Sequence, residues 1–193
     1  MSKFDHIDPP RRRFLQHALL GGAAVTLGGL PLRALRAQGS APATVMLEYF
    51  DDSGRSLGQR AFTKPQLSLA QWRQKLSPEA FAITRQAGTE RAYSGQYWNQ
   101  HGAGIYRCIC CDTALFDAAT KFESGTGWPS FWQPIAKINL AESNDTSLWM
   151  DRTAVSCKGC DAHLGHVFDD GPRPTGLRYC MNSVALRFVP HMA

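Results

Sequence analysis

Six cysteines divide into two close pairs and two remaining thiols. Two residues separate Cys108 from Cys111, and two separate Cys157 from Cys160. This spacing lets a tight turn aim both sulfurs at one point, and two such pairs in one short domain predict a tetrahedral zinc site. Because four protein thiolates leave no open position for a substrate, we expect this zinc to be structural.

Other chemistry is open to paired cysteines. Two disulfides are an alternative in an oxidising compartment. A thioredoxin-like redox pair would need a βαβ context, which the sequence does not indicate. Covalent haem attachment needs a histidine directly after the second cysteine, where Asp112 and Asp161 stand instead. The pattern therefore favours zinc over disulfides.

Cys180 lies apart from these pairs, in the alternating stretch LRYCMNSVALRF, which is typical of a half-buried strand. A free cysteine has a pKa of about 8.5, and we expect nearby cationic or donor groups to shift it toward thiolate. A protonated histidine can also act as a general acid. From the residues alone, a packed core thiol and structural histidines remain open. Four polar side chains lie nearby in the sequence: His163, His166, Arg178 and Asn182.

The elements that must position these residues follow from the hydrophobic pattern. Residues 44–62 predict a hairpin around the turn signal DDSG. Ser68 is placed to cap a helix over 69–76, and Ser77 a second helix that begins at Pro78. His163 and His166 would share a face if their segment were helical, whereas in a loop their spacing carries no information.

The rest of the chain reads as short strands and loops. Strands are predicted within 106–116, at 121–122, over 148–157 and over 177–189, with an aromatic Gly/Pro loop at 124–135. The sequence thus predicts an α+β fold, with helices first and a mostly antiparallel β core after them.

Residues 1–37 are predicted to be a targeting unit apart from the folded domain. Arg11 and Arg12 precede a moderately apolar run at 18–32, which is shorter than the roughly 20 residues of a membrane span. This arrangement resembles a twin-arginine (Tat) export signal over residues 1–37, with an anchoring or amphipathic helix as the alternative. Small-residue cleavage sites follow Ala37 and Ala43.

The positive charge belongs to that unit. The whole chain has a formal charge of +5, but residues 38–193 carry 15 basic and 14 acidic side chains. We therefore expect no nucleic-acid partner.

Residues 69–190 resemble the methionine-R-sulfoxide reductase B family. The matching elements are SPEAFAITRQAGTERAYSGQYW (77–98), KFESGTGWPSFWQPI (121–135), HLGHVFDDGPRPTGLRYCMNSVALRF (163–188) and both cysteine pairs, in the family order. The resemblance implies the compact, mostly antiparallel "β-tent" fold of that family, with the paired cysteines holding structural zinc.

The resemblance also implies a role for each matching residue. Cys180 attacks the sulfur of a methionine sulfoxide and becomes a sulfenic acid. Trp128 helps to wall the pocket for the S-methyl group, and Arg178 supports the thiolate. The residues that position and protonate the departing oxygen are His163, His166 and Asn182.

Recycling of the enzyme is where this chain departs from its relatives. Many members of the family carry a resolving cysteine at the position of Thr126, and a threonine cannot form that disulfide. We therefore expect a one-cysteine cycle, in which an external thioredoxin-like thiol reduces the sulfenic acid. The alternative is a disulfide between Cys180 and Cys110, the remaining thiol.

These observations predict a peptide-methionine (R)-S-oxide reductase that acts on oxidised proteins in the periplasm and has no stable membrane anchor after signal cleavage. The expected organisation is a signal at 1–37, an N-terminal extension with a hairpin at 38–68 and the catalytic domain at 69–193. A non-catalytic zinc-ribbon binding module and a metal or redox carrier are the alternatives. Cys180 and its neighbouring histidines argue against both.

Overall fold

The computed structural model describes residues 41–146 and 152–191. The predicted export signal lies outside the described residues, as does the start of the strand predicted over 148–157. In the described part of the chain, no helix is long and apolar enough to cross a membrane.

The N-terminal part forms the predicted hairpin and two helices. Strands β1 (Thr44–Phe50) and β2 (Ser56–Thr63) pair antiparallel. Helix α1 (Leu69–Lys75) begins at a capping box in which Ser68 and Gln71 each bond the other's main chain. Helix α2 (Pro78–Gln86) is capped by the Ser77 side chain, which accepts from the amide of Ala80. The hairpin and both helices are thus confirmed.

The remaining strands form two antiparallel sheets. In chain order the strands are β3 (Gly104–Cys108), β4 (Ala114–Asp117), β5 (Lys121–Phe122), β6 (Ser130–Phe131), β7 (Leu140–Asp145), β8 (Arg152–Cys157), β9 (His163–Phe168), β10 (Arg178–Met181) and β11 (Leu186–Pro190). The smaller sheet has three strands in the order β11-β3-β4, and the larger has six in the order β5-β6-β10-β9-β8-β7. This confirms the α+β fold with an antiparallel core.

The stretch around Cys180 differs from the single strand that its alternation predicted. It forms β10 in the larger sheet and β11 in the smaller one, separated by a 3-10 turn at Ser183–Ala185. The alternation is interrupted at this turn, where the polar pair Asn182–Ser183 is followed by the apolar run Val184–Leu186. The chain therefore crosses from one sheet to the other just after the predicted nucleophile.

Aromatic side chains fill the core between the sheets. Phe116 and Phe131 stack with their ring centroids 4.4 Å apart, and Tyr106 packs edge-on to Phe131 at 4.9 Å. Each fully buried side chain of this size contributes roughly 1.5–3 kcal/mol. Tyr179 and Met181 are 1% and 0% exposed. Since neighbouring side chains of a strand point to opposite faces, this burial turns the intervening Cys180 away from the core.

Candidate active site and metal centre

The four paired cysteines form one cluster. Their Sγ atoms all lie within 4.8 Å of one another. The Cys108–Cys160 and Cys111–Cys157 sulfurs are 3.7 Å and 3.5 Å apart. Tetrahedral zinc with bonds of about 2.3 Å requires sulfur–sulfur distances of about 3.8 Å. The cluster therefore fits a structural zinc ion.

Two matching turns build this cluster. Asp112 and Asp161, directly after each pair, adopt left-handed backbone angles with φ of 64° and 57°. Their amides donate to the carbonyls of Cys108 at 2.9 Å and Cys157 at 2.8 Å. Aspartate tolerates this conformation better than most residues. Because one turn joins β3 to β4 and the other joins β8 to β9, the metal site ties the two sheets together.

The hairpin packs over this metal site. Leu47 is 2% exposed. A Cβ placed on Gly159, inside the second turn, would meet Leu47 Cδ1 at 3.2 Å and Cys111 Sγ at 3.3 Å. Lys64, just after the hairpin, contacts the Asp161 carboxylate at 2.5 Å.

Asn139 fastens the hairpin to the domain. Its fully buried side chain accepts from the amide of Glu48 and donates to the carbonyls of Glu48 and Ala114, at 2.8, 2.8 and 2.9 Å. The Asn139 side chain therefore bonds the main chain of Glu48 in the way that a neighbouring strand would. The extension at residues 44–63 is an integral part of the zinc-binding end.

Cys180 lies in the middle of the larger sheet, at a surface cavity of about 190 Å³. Its cross-strand partners are Ser130 on β6 and His166 on β9. The cavity walls include Trp128 and Asn182 besides Cys180 and His166. The structure thus brings together four residues that the sequence predicted for the site.

Burial raises the pKa of the Cys180 thiol. Arg178 and the hydroxyls of Thr126 and Ser130 oppose this effect without reversing it. The net direction differs from the thiolate expected from sequence, because the desolvation of a cavity wall cannot be read from composition. In the free protein Cys180 is therefore held as a thiol.

Arg178 is placed beside this thiol by two contacts. Its guanidinium binds both carboxylate oxygens of Asp170 at 2.8 Å and lies 4.4 Å from the ring centroid of Phe168. Such a bidentate ion pair fixes the orientation of the Arg178 guanidinium group. The sequence did not single out Asp170, although the acidic pair in FDDG was available as a signal.

The two histidines share a face by means of a β-bulge rather than a helix. The register between β8 and β9 shifts after Val155, so that His163 lies opposite Ser156 and His166 opposite Ala154. The ring centroids of His163 and His166 are 5.3 Å apart. An extra residue in one strand restores to one side two positions that plain alternation would separate.

Asp145 orients His166, a contact that sequence reasoning missed. One carboxylate oxygen lies 2.7 Å from His166 Nε2 and 2.9 Å from the guanidinium of Arg152. The carboxylate comes from the end of β7, and no local motif marks it as part of the site.

His163 is held neutral. Burial and the neighbouring His166 lower its pKa from 6.5 to about 4, although Asp145 acts in the opposite direction. Within the described part of the chain, its buried Nε2 has no hydrogen-bond partner. At neutral pH this side chain therefore supplies a neutral imidazole and not a cation.

Thr126 and Cys110 occupy different surroundings. The Thr126 hydroxyl lies 4.0 Å from Cys180 Sγ. Cys110 lies on the first cysteine turn, where its thiol faces Cys108, Cys160 and the side chains of helix α2. The position that often carries a resolving cysteine is thus next to Cys180, but here it holds a hydroxyl.

Comparison with known proteins agrees with the motifs. The family model for the SelR domain matches residues 76–190. Peptide methionine sulfoxide reductase MsrB of Thioalkalivibrio sulfidiphilus is 60% identical over 116 residues, which are 60% of this chain and 85% of that protein. The MsrB of Pseudomonas putida strain W619 is 57% identical over 123 residues, 64% of this chain and 92% of its own.

Two plant proteins are also similar to the chain. Peptide methionine sulfoxide reductase B1, chloroplastic, of Arabidopsis thaliana is 59% identical over 121 residues, 63% of this chain. The chain spans 60% of the length of that protein and 55% of its rice counterpart. Together with the four-cysteine centre and the antiparallel fold, these matches show that the chain belongs to the MsrB (SelR) family.

Proposed function

We propose that this protein is a peptide-methionine (R)-S-oxide reductase and that Cys180 carries the reaction. The observation that supports this most directly is the Cys180 thiol in a cavity shared with Trp128, His166 and Asn182, in a chain of this family. The apolar wall suits a methyl group, and the polar side chains suit a sulfoxide oxygen. A non-catalytic zinc module has no use for such a cavity.

The reaction moves one oxygen atom and two electrons. As Cys180 Sγ bonds to the substrate sulfur, the sulfoxide oxygen takes up a proton. This oxygen then passes as a hydroxyl group to Cys180 Sγ, while the substrate sulfur–oxygen bond and the new sulfur–sulfur bond both break. The substrate leaves as a thioether, reduced by two electrons, and Cys180 becomes a sulfenic acid. Two external thiols then return the cysteine to a thiol, and the products are a disulfide and one water molecule.

The surrounding groups act on the oxygen. A sulfoxide is a poor electrophile until its oxygen is protonated or strongly hydrogen-bonded, so attack and proton donation must occur together. His166 faces Cys180 across the strands, and the Asp145 carboxylate holds its ring in place for proton donation. His163 is held neutral and packs against the His166 ring, with the two ring centroids 5.3 Å apart. Arg178 stabilises the developing thiolate.

Zinc has a structural role in this proposal. When bound by the four clustered cysteines, it supplies a rigid link between the sheets, a role that in small domains accounts for on the order of 10 kcal/mol of folding energy. No reaction step passes through it.

We propose that the sulfenic acid is reduced directly by an external thiol. Thr126 occupies the position beside Cys180, and Cys110 lies on the first cysteine turn. A disulfide requires Cα atoms within about 7 Å of each other, so a Cys110–Cys180 bond would need the cysteine turn to reach the cavity. A thioredoxin-like protein is the proposed donor.

The activity is tested with separate R and S epimers of a methionine-sulfoxide peptide. The purified protein is incubated with each epimer and dithiothreitol, and the peptide is analysed by HPLC. We expect consumption of the R epimer only and complete loss of activity in Cys180→Ser with zinc retained. Consumption of both epimers, or activity in the serine variant, would refute the proposal.

Residues 1–37 are proposed to export the protein to the periplasm by the twin-arginine route, on the basis of the Arg11–Arg12 pair and the apolar run behind it. Replacing both arginines with lysine should retain the protein in the cytoplasm. Fractionation that finds this variant in the periplasm at the wild-type level would contradict the assignment.

A further inference from the structure

Glu90 lies directly behind the wall of the Cys180 cavity. It is 4% exposed, and the preceding residue, Thr89, lines the cavity. A buried carboxylate is costly unless it is hydrogen-bonded. Both oxygens of Glu90 are used: they accept from the amides of Ser183 and Val184 at 2.7 and 3.0 Å. The carboxylate therefore caps the 3-10 turn that follows the Cys180 strand.

The main chain of Glu90 holds two walls of the same cavity. Its amide donates to Asn182 Oδ1 at 2.9 Å, and its carbonyl accepts from Trp128 Nε1 at 3.1 Å. Both contacts are made by one peptide segment, so a shift of that segment moves both side chains together.

These contacts also fix which end of the Asn182 amide can act on a substrate. Oδ1 is taken by the Glu90 amide, and Nδ2 donates one hydrogen to the Leu164 carbonyl at 3.0 Å. A primary amide has two N–H groups, so the group left for the cavity is a donor. Asn182 can therefore offer a hydrogen bond to a sulfoxide oxygen.

We infer that Glu90 is a positioning residue of this reaction site, which sets Trp128 and Asn182 in register with Cys180 through its buried carboxylate. This inference rests on the proposed reductase function. The carboxylate of Glu90 fixes this residue to the turn that follows Cys180. The main chain of Glu90 then holds Trp128, which suits the substrate methyl group, and Asn182, which can donate to the sulfoxide oxygen.

Close packing leaves the carboxylate little freedom. A Cβ placed on Gly95 would lie 2.5 Å from Glu90 Oε1 and would also collide with the Ser183 side chain. The carboxylate is thus enclosed between residue 95 and the turn at Ser183. Because a misplacement of about 1 Å can cost up to a hundredfold in rate, loss of this anchor should be visible in kcat.

The test compares two isosteric exchanges at buried residues. Glu90→Gln leaves one acceptor oxygen and turns an amide group toward the second main-chain N–H. Asn139→Asp is the matched control, since Asn139 also bonds only main-chain groups, but at the hairpin. The readouts are kcat and KM for the R epimer below both melting temperatures, and hydrogen exchange at the Trp128 indole N–H by NMR.

We expect Glu90→Gln to lower kcat at least tenfold and to speed exchange at the Trp128 indole, while Asn139→Asp keeps wild-type values of both. Glu90→Asp, which keeps two acceptors, supplies the same comparison if Glu90→Gln does not fold. An unchanged kcat at residue 90, or an equal loss in both variants, would overturn the inference. A wild-type protein without activity in the same assay would instead refute the proposed function.

Discussion

Acidification should lower the free energy of unfolding of this protein through His163, and the substitution His163→Gln should remove that part of the pH dependence. Its pKa falls from 6.5 in the unfolded chain to about 4 in the folded protein because of burial and His166. Below pH 6.5 the unfolded chain therefore binds a proton that the folded protein does not accept until about pH 4. The stabilising contribution is complete above pH 6.5 and is lost as pH falls toward 4.

The magnitude follows from the size of the shift. At 1.36 kcal/mol per pKa unit, the full shift corresponds to about 3 kcal/mol. His163 is only partly buried, and solvent screening reduces the expected effect to about 2 kcal/mol. His163→Gln keeps a neutral polar group that cannot titrate, so its free energy of unfolding should fall less steeply on acidification.

The assay is urea unfolding of zinc-loaded protein at several pH values between 7.5 and 4.5. Protonation of the zinc ligands affects both proteins alike, so the wild-type-minus-variant difference isolates His163. His101→Gln, at an exposed histidine, is the matched control and should keep the wild-type slope. If His163→Gln lost stability with pH as steeply as the wild type, the assignment of a neutral, desolvated imidazole would be wrong.

Three further predictions concern the metal site and the oriented histidine. Cys157→Ser should abolish zinc retention, measured by elemental analysis, and lower the melting temperature; stable, zinc-loaded variant protein would contradict the cluster. Leu47→Ala should lower the free energy of unfolding by about 2–5 kcal/mol and speed zinc release to a chelator. Met46→Ala, at a side chain 45% exposed, should have neither effect. Equal release rates in the two variants would contradict the packing of the hairpin over the zinc site. Asp145→Asn should lower kcat roughly tenfold or more, because His166 loses the carboxylate that orients its ring, and an unchanged kcat would count against this contact.

Local signals in the sequence were sufficient for some of this architecture. The cysteine pairs, the serine caps at 68 and 77 and the hairpin each depend on residues a few positions apart, and all appear as expected. The motif match then placed Cys180, His166, Asn182 and Trp128 together, and the cavity contains all four.

What the sequence could not predict depends on contacts between distant segments. Asp145 and Glu90 reach the site from the end of a strand and from a loop, and their partners are 21 and up to 94 positions away. The β-bulge that aligns the histidines is a property of strand pairing, so the spacing of His163 and His166 could not reveal it. Likewise, the raised pKa of Cys180 results from burial created by the whole fold.

A single turnover tests the central claim most directly. The protein is reduced, the added reductant is removed, and the protein is mixed with one equivalent of methionine-R-sulfoxide peptide. Its cysteines are then mapped by mass spectrometry. We expect about one methionine per chain, a trappable sulfenic acid on Cys180 and normal steady-state turnover in Cys110→Ser. A Cys110–Cys180 disulfide with turnover lost in that variant would contradict the one-cysteine cycle, and methionine formation with Cys180 left unmodified would contradict the nucleophile itself.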